Sequence, residues 1–149
     1  MKTIEIEIAI MEYFGIRQNL IVPNISWGMN GLHECDILVL SRAGYATEIE
    51  IKISKADLLK DKEKRHGHNS NDIANFYFCV PEKLKDVALK NIPYRAGLMI
   101  ASKNGAWVIK YCQRNKGAKK WDEQDRYQLA RLGTMRILGL KKKLILQLQ

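Results

Sequence analysis

Residues 34–40 (ECDILVL) and 45–53 (YATEIEIKI) are rich in Ile, Leu and Val and bounded by turn residues, the pattern of two β-strands. Arg42-Ala43-Gly44 between them forms a three-residue hairpin loop, with Gly44 in the left-handed conformation. Pairing Ser41 with Tyr45 then sets the register: Leu38 opposite Glu48, Asp36 opposite Glu50, Glu34 opposite Lys52. Because strand side chains alternate, Glu34, Asp36, Glu48, Glu50 and Lys52 share one face. Ile37, Val39, Ile49, Ile51 and Ile53 take the other, which must be core.

The remaining pattern alternates between helical and extended periods. Thr3 caps an expected helix ending near Gly15 or Gln18, whose apolar positions cover most of its circumference. The competing strand pattern over residues 4–8 loses its alternation after Ile8. Within that helix Glu7 has Ile10, Met11 and Phe14 at +3, +4 and +7, so it lies on an apolar face and needs a partner there. Residues 20–28 read as a turn into a strand, with Trp27 a buried anchor. Ser54, with Asp57 three residues on, starts a helix to about Lys64 whose outer face carries Lys55, Lys60, Lys62, Lys64 and Arg65, interleaved with Asp57, Asp61 and Glu63.

Residues 66–71 (HGHNSN) form a polar loop. The two histidines have no third ligand at a useful spacing for zinc. Residues 75–80 are a continuous apolar run ended by Pro81, which predicts a central strand covered on both faces. Strand, helix, strand implies a parallel pair with a right-handed crossover. A helix over 82–90 and a hairpin over 97–112, turned at Lys103-Asn104-Gly105, follow. Residues 113–120 read as a mobile basic segment, and a closing helix from about Asp122 is bent or split at Gly133 and Gly139.

Composition narrows the class. A chain of 149 residues with 46% hydrophobic and 28% charged residues is expected to form one soluble domain. Three scattered cysteines make no C-x-x-C and no even framework, so they fit free thiols in a reducing cytoplasm. No apolar run approaches a membrane span. Charge is uneven: residues 1–50 carry 3 Lys/Arg against 7 Asp/Glu, and residues 51–149 carry 22 against 9. An acidic half beside a basic half suits a protein that must both attract and act on a phosphodiester backbone.

The acidic hairpin face carries the chemistry. Directly opposed residues hold their Cβ atoms within about 5 Å, where two carboxylates repel unless a cation joins them. Mg²⁺, which takes one or two carboxylates and keeps several waters, fits such a pair. Glu48, one pleat away, is either a solvent charge or a second ligand. The bland alternative is an edge hairpin with a solvated charged face. An edge, however, more naturally carries Lys or Thr than a like-charge pair.

Asp36 on one strand, then Glu50-Ile51-Lys52 on the next, resembles the PD-(D/E)XK nuclease superfamily, with Cys35 where its motif has Pro. Ser54-Lys55-Ala56-Asp57 and residues 75–81 (NFYFCVP) narrow the resemblance to MmcB-like DNA-repair proteins and small phage relatives, over about residues 1–100. The resemblance implies an α/β, restriction-endonuclease-like mixed sheet flanked by helices, and a Mg²⁺- or Mn²⁺-dependent deoxyribonuclease. Asp36, Glu50 and the Ile51 main-chain carbonyl would hold the metal, with Glu7 as a further ligand from the first helix. Lys52 would position the attacking water or stabilise developing charge. Lys55, Lys60, Lys64, Arg65, His68, Arg114, Lys116 and Lys119 are the expected DNA-backbone contacts. A nucleic-acid binder on the same fold without catalysis is the alternative, and the oligomeric state, a homodimer included, is left open.

Overall fold

The β-rich middle of the chain builds a sheet whose strands stand in chain order. The computed structural model describes residues 1–25, 34–61 and 70–149. Its elements are α1 (Thr3–Phe14), β1 (Leu20–Ile25), β2 (Cys35–Leu40), β3 (Ala46–Ile51), α2 (Lys55–Lys60), β4 (Ile73–Pro81), a single 3₁₀ turn (Glu82–Leu84), α3 (Lys85–Asn91), β5 (Gly97–Ser102), β6 (Gly105–Lys110) and α4 (Glu123–Leu148). The strands form one sheet in the order β1-β2-β3-β4-β5-β6. β1–β2, β2–β3 and β5–β6 pair antiparallel, whereas β3–β4 and β4–β5 are parallel. This is the mixed, helix-flanked α/β sheet the sequence implied. Pro23, which cannot donate to a ladder, sits on the edge strand β1.

The two faces are covered by different helices. Ile37, Val39, Ile49 and Ile51 pack with Ile6 and Ile10 of α1. On the opposite face, Leu38, Leu40 and Ala46 pack with Leu129 and Leu132 of α4. Further along that second face, Phe78, Val80, Leu98 and Ile100 pack with Leu58 of α2 and Ala88 of α3. β3 therefore runs through the interior of the sheet, and the edge-hairpin alternative is excluded. Of the expected core set, Ile53 departs: it lies past the end of β3 and is 42% exposed.

The hairpin between β2 and β3 closes as its loop chemistry dictates. The Ser41 N–H donates to the Tyr45 carbonyl (3.1 Å), the Gly44 N–H to the Ser41 carbonyl (2.9 Å), and Gly44 has φ +95°. Such a φ suits glycine, which has no Cβ to collide with the following carbonyl. The β5–β6 turn is one residue shorter than predicted, because Ser102 pairs with Gly105.

Several expectations about helices and loops need correction. Thr3 is the first residue of α1, after the N-cap Lys2, and Ile4, Ile8 and Tyr13 are exposed, so the buried stripe is narrower than the circumference suggested. Residues 113–121 are not a loose segment. The N–H groups of Gln113, Asn115, Lys119 and Trp121 donate to Arg95, Ala74, Asn71 and Gly44 carbonyls at 2.8–2.9 Å, lacing the strap across one end of the sheet. α4 is continuous through Gly133 and Gly139; an isolated helical glycine costs about 1 kcal/mol, too little to break a helix of 26 residues. Trp27, Lys64, Arg65, His66 and His68 lie outside the described residues. Among the described residues no helix is long and apolar enough to cross a membrane.

Candidate active site

The acidic residues sit where the sheet changes cover, in the seam between the α4 cluster and the α2–α3 cluster. The register holds as far as Leu38 opposite Glu48, and main-chain pairing of β2 with β3 ends at Ile37–Ile49. Beyond that point β2 stays paired to β1, through Cys35 and Ile25. The Ile51 N–H donates instead to the Asp36 carboxylate, Oδ2, at 2.8 Å. Asp36 thus closes the open end of the ladder with its side chain, and the predicted pairs Asp36–Glu50 and Glu34–Lys52 are not ladder pairs.

At that opening lies a cleft of about 260 Å³, lined by Asn24, Ile25, Glu34, Cys35, Asp36, Glu50 and Arg136. Two of the three residues expected to do the chemistry, Asp36 and Glu50, share it. Lys52 stands behind Glu50. Its Nζ lies 3.5 Å from Glu50 Oε2 and 3.1 Å from Asp61 Oδ1 at the end of α2. Glu48, Glu50, Lys52 and Asp61 are 0%, 3%, 6% and 8% exposed, so all four charges are interior, and Lys52 links Glu50 and Asp61. The solvent-charge reading of Glu48 is thereby overturned. Burial disfavours the Lys52 charge, but the Asp61 hydrogen bond and the Glu50, Asp61 and Asp57 carboxylates outweigh it and hold the ammonium above the usual lysine range. The Lys52 backbone is fixed as well, its N–H donating to the Cys79 carbonyl of β4 at 3.1 Å.

Local sequence explains how α2 delivers Asp61. Ser54 caps the helix, its Oγ accepting from the Asp57 N–H at 3.1 Å, and Leu58 is its buried residue, packed in the cluster with Phe78 and Val80. Asp61 follows Leu58 by three positions and so turns to the same inward face. That spacing was visible in the sequence, but the surrounding lysines and acids made Asp61 read as a solvated charge. Arg136 was missed for a similar reason. It continues the stripe of buried Leu129 and Leu132 along α4, and its Nη2 donates to the carbonyl of Asn24, 112 residues away.

Glu7 approaches from α1 without joining the carboxylate pair. Its Oε1 accepts from Asn24 Nδ2 at 3.4 Å. Burial raises its pKa, the Asn24 hydrogen bond lowers it in part, and the Asp36 charge raises it again, so the two acids sense each other. Among the described residues, no three His, Cys, Asp or Glu side chains come together to hold a metal ion. The Glu7 carboxylate is turned to Asn24, and the carboxylates lining the cleft are those of Glu34, Asp36 and Glu50. A two-carboxylate site still fits a hard ion that keeps most of its waters, as Mg²⁺ does, and fits zinc poorly.

The expected backbone contacts divide between the two ends of the sheet. Lys55 and Lys60 are exposed on α2, at the site end of β3. Arg114, Lys116 and Lys119 belong to the strap at the hairpin-turn end, where β3 begins. The Arg114 guanidinium lies 4.5 Å from the Tyr45 ring centre, and Lys119 bridges Asp72 (3.2 Å) and Asp125 (3.4 Å). The fold does not bring these three to the Asp36–Glu50 cleft.

No family model and no curated protein matches the chain. Among solved structures it is similar to the SPO1766 protein of unknown function from Silicibacter pomeroyi, at 17% identity and a TM-score of 0.68, over 97% of this chain and 91% of that one. At that identity the likeness establishes a shared fold.

Proposed function

We propose that the protein is a Mg²⁺- or Mn²⁺-dependent nuclease acting on DNA in a reducing compartment. One observation carries the reading: Asp36 and Glu50 bring their carboxylates into a single cleft at a broken ladder, backed by a buried lysine. A buried ion network is weak support for stability, since packed apolar residues of similar volume do as well or better, so its presence at a cleft points to chemistry.

Asp36 and Glu50 would hold the metal, with the Ile51 carbonyl beside them. Bound there, Mg²⁺ supplies Lewis acidity and neutralising charge for attack of water on a phosphodiester. The chain's own part is positional. The Ile51 N–H fixes the Asp36 carboxylate, and Lys52 fixes Glu50 from behind while Asp61 holds Lys52. Held in its charged form, Lys52 adds a fixed positive potential where negative charge would develop. Lys55 and Lys60 extend the positive surface at this end, and base readout has no dedicated element. Metal-dependent cleavage of plasmid or single-stranded circular DNA by the wild type, abolished in Glu50→Gln, tests the reading. Salt-sensitive binding without cleavage would support a non-catalytic binder instead.

A further inference from the structure

The Asp36–Glu50 cleft has a cation on its wall that comes from a residue 112 positions beyond Asn24 in the chain. Glu34, Asp36 and Glu50 make the cleft acidic, which by itself repels a phosphate backbone. Arg136 is the one cationic side chain among the described residues that line it. It arrives from α4, half-buried, and is oriented by an unusual backbone. Asn24, the penultimate residue of β1, has φ +56°, a conformation that asparagine tolerates better than most residues. So turned, its carbonyl accepts from Arg136 Nη2 while its amide donates to Glu7. The Asn24 carbonyl thus restricts where the planar guanidinium can lie against the cleft. A guanidinium offers five N–H donors in a fixed fork that matches two oxygens of a phosphate.

We propose that Arg136 binds a backbone phosphate of the nucleic-acid strand that enters the Asp36–Glu50 cleft. The proposal rests on the nucleic-acid reading of that cleft, and adds a binding residue from the C-terminal helix. The competing role is a strap, in which Arg136 only ties α4 to the end of β1.

Anisotropy titrations of labelled single-stranded and duplex oligonucleotides, in Ca²⁺ and over a range of NaCl, separate the two. Arg136→Gln is expected to weaken binding about tenfold, the worth of one charged hydrogen-bonded contact. It is also expected to reduce the slope of log K against log[salt] by about one. Arg136→Lys, with charge but no fork, keeps the slope and loses part of the affinity. Arg131→Gln, exposed on the same helix away from the cleft, changes neither.

Unchanged affinity and slope in a folded Arg136→Gln protein would overturn the proposal and leave the strap. An equal loss in Arg131→Gln would also overturn it, as a diffuse effect of a basic helix. If Arg136→Gln does not fold, undiminished affinity in Arg136→Lys overturns the proposal. Cleavage in Mg²⁺ that ignores Arg136 keeps the nuclease reading and removes this one. Arg136-dependent binding without cleavage does the reverse, and a wild type that neither binds nor cuts removes both.

Discussion

The Lys52 ammonium lies 3.1 Å from the Asp61 carboxylate, and both side chains are buried. The contact joins the end of β3 to the end of α2 and leaves Lys52 with two carboxylate neighbours. Removing one member of a buried ion pair strands the other, which typically costs about 3–5 kcal/mol. Asp61→Asn, with the Glu50 partner still present, is predicted to lose about 3 kcal/mol in urea denaturation, at the lower end of that range. A loss below half a kcal/mol would mean that the pair is not formed in solution.

Metal binding should stabilise the folded chain. A ligand at about 100 times its Kd adds roughly 2.7 kcal/mol. Thermal melts with and without Mg²⁺ or Mn²⁺ are expected to show an upward shift in the wild type. The shift should vanish in Asp36→Asn and persist in Glu7→Gln, because Glu7 is turned to Asn24. A shift lost equally in both variants would make Glu7 a ligand beside Asp36.

Tyr77 provides a pH handle on the core. Burial, with its Cys112 contact, pushes its phenol up to about 12, from an ordinary value of 10. Its hydroxyl accepts from the Cys112 N–H at 3.4 Å, and its ring lies over Gly97, where a Cβ would meet it at 2.2 Å. The folded state therefore disfavours the phenolate. Its contribution to stability is complete below pH 10 and lost as pH rises towards 12. An alkaline ultraviolet titration is expected to show a late phenol ionisation near pH 12, and Tyr77→Phe to remove that step. A titration curve that Tyr77→Phe leaves unchanged towards pH 12 would contradict the burial.

Gly44 tests the strap. At φ +95° its carbonyl accepts from the Trp121 N–H, and a Cβ would sit 2.5 Å from Arg126 Nη2 and 3.2 Å from the Trp121 carbonyl. Gly44→Ala is predicted to destabilise by about 1–3 kcal/mol, from backbone conformation and crowding together. A neutral result in denaturant unfolding would show that the strap yields there.

How much could be read in advance differs by the range of the interaction. The β2–β3 hairpin, its loop and its faces were legible, because alternation and a glycine loop act over a few residues. The parallel β3–β4 pair followed from one intervening helix. What failed depends on packing between distant segments. The ladder parts at Asp36 because β2 follows β1 there, which no periodicity in residues 34–53 records. Residues 113–121 look loose by composition, yet their N–H groups find carbonyls from three other segments. Glu48 and Asp61 look solvated from their neighbours in sequence and are buried by neighbours in space. Only the spacing of Asp61 from Leu58, and of Arg136 from Leu132, hinted otherwise.

Cutting of phosphodiesters at the proposed Asp36–Glu50 metal cleft can be read directly. The most direct measurement is the conversion of supercoiled plasmid and single-stranded circular DNA in Mg²⁺, Mn²⁺ or EDTA, by the wild type, Glu50→Gln and Lys52→Ala. Metal-dependent strand scission is expected that stops in EDTA and in Glu50→Gln, and falls at least about a hundredfold in Lys52→Ala, the scale of a lost electrostatic group. Intact circles with the wild type in every metal, or cutting that survives Glu50→Gln, would contradict it.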